Sequence, residues 1–407
     1  MTPYIKAYPS GGIVIGKVTL AGLCAAAVLA SSAVALAAPN SRHKDSVGRV
    51  TEFAASTGKA GRTVKTGFQP TALVVAPDSR HVYVANRGSQ TISELSAGLT
   101  GAIRTIHVAG APLDMVMTPN GKLLYVSLLS NNLSQGDQGG SVLVIRTSDF
   151  KPVKDIPLFE PYLMAVSRNS ATVYVASGST GGNGETVTPI RTASNRAGKA
   201  LSIANRNFEV IALAIAPSGR AVYVISDDVA SRTGHPSYAG VLTVINAASG
   251  RVRKQLRIGT SPSDLAITPN GRTVYVSLAR GVLPVSTSSN TAGRLIRIAD
   301  YPGDLVITPN GRTLYVAADG ELTPVSTRDN AVGRPIGHFA PDPNAGTMAV
   351  SPDGTTLYAL TWWPTLSVAT IRTATNTAQM AFKSGPDATE LVLAPNGKTG
   401  YVVNWGL

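Results

Sequence analysis

The chain has 407 residues, of which 43% are hydrophobic and only 14% charged, against roughly a quarter charged in an average soluble domain. That apolar share supplies a large core and excludes global disorder; a single long uncharged apolar run excludes a polytopic membrane protein; and 40 Gly with 26 Pro scattered throughout exclude a coiled coil. The formal net charge of +13 favours anionic surroundings such as a cell-wall polymer, a lipid surface or nucleic acid, without choosing among them.

Residues 1–37 carry Lys6 and Lys17, no acid, and an apolar stretch from Val18 to Ala37. Ala35-Leu36-Ala37 puts small residues where a signal peptidase reads, which predicts export and cleavage after Ala37. The run is also long enough to cross a bilayer if kept as an anchor. The polar linker over 38–46 favours cleavage, leaving no transmembrane span and a secreted or cell-surface protein. Cys24, the one cysteine, lies inside this leader, so the mature chain has no disulfide, thiol nucleophile or thiolate metal site.

From residue 47 to the end a repeat governs the chain. A Tyr, mostly followed by Val, recurs at Tyr83, Tyr125, Tyr174, Tyr223, Tyr275, Tyr315, Tyr358 and Tyr401. In seven of these copies a Pro stands six residues earlier, usually followed by Asp or Asn and then Gly; the third copy has Arg168 there. Pro fixes φ, Asn or Asp tolerates the second turn position, and Gly takes a left-handed φ. This predicts a tight hairpin between strands a and b of each unit. A second hairpin, c–d, follows, as in Val187-Thr188-Pro189-Ile190 turning at Asn195 to Gly198.

Four strands in a period of 40 to 52 residues are the mark of a β-propeller blade. The last unit stops after strand b, and the missing outer hairpin appears at the other end, in Gly48 to Phe53 and Arg62 to Lys65. The expectation is an all-β protein of eight four-stranded blades, the last closed by both termini. Seven blades is the alternative if one hairpin pair is decorative.

Tyr83-Val84-Ala85-Asn86, Tyr315-Val316-Ala317-Ala318 and Tyr401-Val402-Val403-Asn404, each after its Pro-Asp/Asn turn, resemble the YVTN-type β-propeller repeat family over nearly the whole chain from residue 47. The resemblance implies an exported or surface protein of the kind usual in bacteria, with a binding role.

In a propeller the d–a and b–c connections share one face, where ligands usually bind. Five residues before the turn Pro, four of the eight units carry an acid: Asp114, Asp264, Asp304 and Glu390. Such carboxylates suit Ca²⁺ or another divalent cation, or else accept backbone N–H groups at the turn. Asp264 and Asp304, in neighbouring blades, are the best placed to share a cation. The b–c loops of blades 2, 3 and 4 are long, clustering insertions on one side of that face as a binding surface or as tolerated loops. His235 and Tyr238 sit in the third insertion. Trp362 and Trp405 occupy matching positions in blades 7 and 8, where an indole either meets a sugar ring or packs against the next blade.

No catalytic template fits: the five His lack metal-ligand spacing, and no G-x-S-x-G elbow or phosphate loop occurs. No aromatic-interleaved basic run marks a specific nucleic-acid platform. The sequence therefore points to a secreted, monomeric, non-enzymatic binding propeller, its partner a protein, a glycan or an anionic cell-wall ligand. The competing reading is a lactonase-type, metal-dependent hydrolase using the channel-mouth carboxylates.

Overall fold

In a computed structural model the described residues are Val18–Leu20 and 47–405, except 131–138, 179–183, 205–207, 229–239, 338–347, 362–365 and 386–387. The leader thus lies outside them apart from Val18–Leu20, which runs parallel to Leu265–Ile267. The rest of the described chain forms eight antiparallel sheets, one per repeat, arranged as an eight-bladed propeller. Blade 1 shows the regular pattern: strand a Pro70–Val75, b His81–Asn86, c Thr91–Ser96 and d Ala102–His107. Strands a–b and c–d are joined on one face of the ring, here called the turn face. Strands b–c and d–a are joined on the other, the loop face.

All eight a–b turns are built alike. The residue before the Pro position donates its N–H across the turn to the carbonyl five residues on, as Thr268 does to Thr273 and Thr308 to Thr313, each at 2.9 Å. The expected left-handed residue is present, with φ of 69° at Gly271 and 70° at Gly311. Both also lie close to the turn of the preceding blade. A Cβ at Gly271 would meet Pro217 Cδ at 3.4 Å, and one at Gly311 would meet Pro269 Cδ at 3.2 Å. Most turns thus lie against the turn of the blade before; at Gly219 in blade 4 nothing stands within 4 Å of the Cβ position.

The outermost strand is not equally complete. In blades 3, 5 and 6 the partner of the repeat Tyr on strand c is a proline: Pro189, Pro284 and Pro324. Its carbonyl faces strand d, accepting from Gly198, Gly293 and Gly333 respectively, so its missing N–H also falls on that side. A strand d opposite a proline loses a ladder bond. Accordingly it survives only as Arg196–Ala197 with Leu201–Ala204 in blade 3, as Thr291–Ala292 with an isolated bridge at Ile296 in blade 5, and as isolated bridges at Val332 and Ile336 in blade 6. Where Val144 or Val244 faces the Tyr, strand d runs nine residues, Lys151–Phe159 and Arg251–Gly259.

The core lies between blades rather than within one. One buried cluster joins Tyr125, Val142 and Val144 of blade 2 to Met164, Val173 and Val175 of blade 3. Another joins Tyr401 and Val403 of blade 8 to Leu73, Val82 and Val84 of blade 1. The repeat tyrosines are almost wholly buried, and their hydroxyls reach the c–d turn of the next blade. Tyr125 donates to Asn195 Oδ1 at 2.5 Å, Tyr275 to Asn330 Oδ1 at 2.9 Å, and Tyr315 to Asn376 Oδ1 at 2.7 Å. Tyr174 reaches the Ala247 carbonyl and Tyr401 the Ala97 carbonyl. Tyr358 donates to the Ala55 carbonyl across the seam between blades 7 and 8. Tyr83 is the exception: its hydroxyl donates within its own blade to Glu94, which also holds Arg104 over the Phe150 ring.

Ring closure is as the sequence predicts. Val47–Ala54 pairs with Thr399–Asn404, Arg49 opposite Asn404 and Ala54 opposite Thr399. Blade 8 therefore takes strands c and d from the N-terminal side and a and b, Ala388–Leu393 and Thr399–Asn404, from the C-terminal end. Deleting 387–407 should expose the apolar flanks of blades 1 and 7 and leave Val47–Ala54 an unpaired edge prone to association. Size-exclusion and melting measurements check this; a truncated monomer that melts like the intact chain contradicts it. Tyr315→Phe should cost about 1 kcal/mol in chemical denaturation, as one hydroxyl bond is lost. Burial also raises the Tyr275 and Tyr315 phenols to about 12. Stability should therefore be full below about pH 10, the ordinary phenol value, and fall as pH rises toward 12.

Candidate functional site

The four repeat acids lie at the inner end of the blades, all buried. Each reaches across to the next strand a. Asp264 Oδ2 accepts from the Leu305 N–H at 2.8 Å, Asp304 Oδ2 from Met348 at 2.9 Å, Asp114 Oδ2 from Met164 at 2.8 Å, and Glu390 Oε2 from Leu73 at 2.7 Å. In every case the donor stands four residues before the turn position of the following unit. Asp114 also caps its own chain through the Met115 N–H. A charge-assisted bond from a buried carboxylate to a main-chain amide is strong and directional. These acids pin the inner edges of blades 2 to 3, 5 to 6, 6 to 7 and 8 to 1. Among the described residues no group of three or more His, Cys, Asp or Glu is placed to hold a metal ion.

Other groups reinforce these inner seams and close the one between blades 1 and 2. Thr71 donates to the Pro112 carbonyl, and Ser263 and Ser277 donate to Pro302 and Gly303. Trp405 is half-buried, and its indole N–H donates to the Pro70 carbonyl at 3.0 Å, tying the end of blade 8 to the start of blade 1. Trp362, His235 and Tyr238 lie outside the described residues.

A different set of acids gathers on the loop face beside blades 3 and 4. The Tyr162 hydroxyl accepts from the Val210 N–H at 3.2 Å and donates to Glu185 Oε2 at 2.6 Å. Glu185 opens strand c at the end of the blade-3 insertion. Across the a–b pair of blade 4, Glu209 stands directly opposite Asp227, both buried. Burial raises the Glu185 carboxyl to about 7; the Tyr162 hydrogen bond opposes that rise, while Glu209 and Glu160 add to it. Glu160 is itself raised by burial. Burial first, and then the charge of Glu185, pushes the Tyr162 phenol well up. A carboxyl that changes charge near neutrality, held by a phenol among other acids, can take a cationic group or exchange a proton.

The sequence points to acids on this face through the repeat position and through Asp227 beside the third insertion, and not to Glu160, Tyr162, Glu185 or Glu209. Two signals were available. Glu185 adjoins an insertion, and Glu209 and Asp227 flank one turn, brought opposite each other by a one-residue register shift between Val210 and Ala212.

Comparison with known proteins extends the fold and nothing more. No protein-family model matches the chain, and no curated protein matches it. Among solved structures it is similar to hydrazine synthase of Kuenenia stuttgartiensis, at 20% identity and a TM-score of 0.53, over 76% of this chain and 97% of that one. It is similar to the dihydro-heme d1 dehydrogenase NirN in complex with DHE at 16% and 0.62, over 80% and 69%. It is also similar to the Dos1 propeller at 12% and 0.55, over 84% and 80%.

Because the folded Glu185 carboxyl is raised from 4.5 to about 7, it contributes stability that is full below pH 4.5 and lost as pH rises through 7. Glu185→Gln keeps the Tyr162 acceptor without the charge. It should raise stability at pH 8 by about 1 kcal/mol after allowance for solvent screening, and leave it nearly unchanged at pH 4. Urea melts at the two pH values measure this.

Proposed function

We propose that the protein is an exported, non-enzymatic binding propeller of the YVTN-repeat kind, whose ligand or partner presents a cationic group to the loop face at blades 3 and 4. The observation that carries this reading is the Tyr162–Glu185 pair, with Glu160 and Glu209 beside it and the blade-3 insertion ending at Glu185. Acids gathered in a partly desolvated place repel one another. An arriving ammonium or guanidinium group relieves that repulsion and stabilises the ionised form of Glu185. The affinity gained is larger than the same contact would give in water.

The four repeat acids fit a structural role within this reading, since each has an oxygen committed to the neighbouring blade. The hydrolase alternative asks those carboxylates to converge on a metal while they brace the ring. Export fits the leader and the cysteine-free body.

Thermal shift at pH 8 with spermidine, arginine amide and a lysine-rich peptide tests the proposal. Stabilisation should approach about 2.7 kcal/mol at a hundredfold excess over Kd, and should be lost in Glu185→Gln. If none of the three cations moves the melting curve, while an EDTA-sensitive lactone hydrolysis is found, the hydrolase alternative takes its place.

A further inference from the structure

The opposite face carries a pattern that the loop-face site does not use. In six of the eight a–b turns, the residue after the left-handed position is an exposed cation: Arg80, Lys122, Arg220, Arg272, Arg312 and Lys398. Because all eight turns share one hydrogen-bond pattern, these side chains leave the ring at one level, one each from blades 1, 2, 4, 5, 6 and 8. The c–d turns open on the same face and add exposed Lys59, Arg196, Arg251, Arg328 and Arg372. Against them the two sets of turns bring Asp78, Asp149, Asp329 and Asp353. Asp149 is already paired with Arg146 at 2.6 Å, and Asp78 lies 3.5 Å from His81.

Three features specify the partner. The charges spread around a whole ring rather than along a strip, which suits a planar anionic surface better than a linear chain. None of the exposed large apolar side chains belongs to an a–b turn, and at the c–d turns Val252 and Val332 are exposed among eleven cations, so attachment would be mainly electrostatic. Between the c–d hairpins of blades 7 and 8, on this same face, lies a polar cleft of about 150 Å³. Arg372 lines it with Ser56, Thr57, Thr356, Thr370 and Thr377, a set of donors suited to a phosphate oxygen.

We infer that the turn face docks on a lipid bilayer carrying anionic phosphate headgroups, leaving the loop face turned away from it. Each Lys or Arg brought to such a surface raises affinity about fivefold at ordinary ionic strength. Neighbouring turns are tied at two seams, the Asn120 N–H donating to Ser170 Oγ and the Asn396 N–H to Ser79 Oγ, each at 3.1 Å, so the array forms without any ordering on contact. The inference stands independently of the cationic ligand proposed for the other face.

Co-sedimentation of the mature chain with phosphatidylglycerol-containing vesicles, and with pure phosphatidylcholine vesicles, tests it. Binding is expected to the first and not the second. It should vanish at 1 M salt, where the Debye length falls to about 3 Å. Arg220→Glu with Arg272→Glu and Arg312→Glu should weaken it on the order of ten-thousandfold, beyond detection, with the melting curve unmoved. If the reversals disturb folding, the three Gln variants replace them and should weaken binding on the order of a hundredfold. Equal binding to both vesicles, or a folded triple variant that binds like the parent, overturns the inference. So does binding to linear polyphosphate with vesicles ignored, which assigns the face to a soluble polymer.

Discussion

A four-stranded twisted sheet that is apolar on both flanks cannot bury them alone, and everything else in this protein depends on how neighbouring sheets meet. The seam between blades is closed at two radii. Near the axis, carboxylates, hydroxyls and the Trp405 indole reach backbone groups of the next blade. Further out, the repeat Tyr buries its ring in the interface and passes its hydroxyl to the next c–d turn. Between the two lies buried apolar packing of Val, Leu and Ile. The outer edge bears less of this load, which is why blades 3, 5 and 6 tolerate a proline that strips strand d to fragments.

This division of labour leaves both ring faces free for other chemistry, and they diverge. The loop face gathers carboxylates, some braced against main-chain amides and some massed around Tyr162. The turn face repeats a cation at one register in most blades. Repetition by itself creates such asymmetry: a residue type fixed at one turn position is multiplied around the ring, so a modest bias in one unit becomes a field over a whole face.

The fold was legible because its determinants are local. Pro269-Asn270-Gly271 announces a turn without reference to anything distant, and the orphan hairpin at Gly48 to Phe53 had one place to go once the last unit ended at strand b. The partners of the repeat acids were not legible. Asp264 meets the N–H of Leu305 and Asp114 that of Met164, donors in the next repeat that only the closed ring brings within reach. The Tyr162 cluster was missed for a similar reason, since Val210, Glu185 and Glu209 come from two blades. Pro189 was visible in the sequence, but its consequence for strand d depends on which way its carbonyl faces. The aromatic candidate Trp405 is drawn into the seam between blades 8 and 1.

The central claim is that the ring is one cooperative unit, closed by pairing of residues 47–54 with 399–404. Native-state hydrogen exchange addresses it directly, by comparing amides of these terminal strands with those of Tyr223 and Tyr275 in blades 4 and 5. A closed ring predicts that all exchange only through global unfolding, with one common free energy. Graded protection that falls toward blades 1, 7 and 8, as in an open array of repeats, would contradict the account.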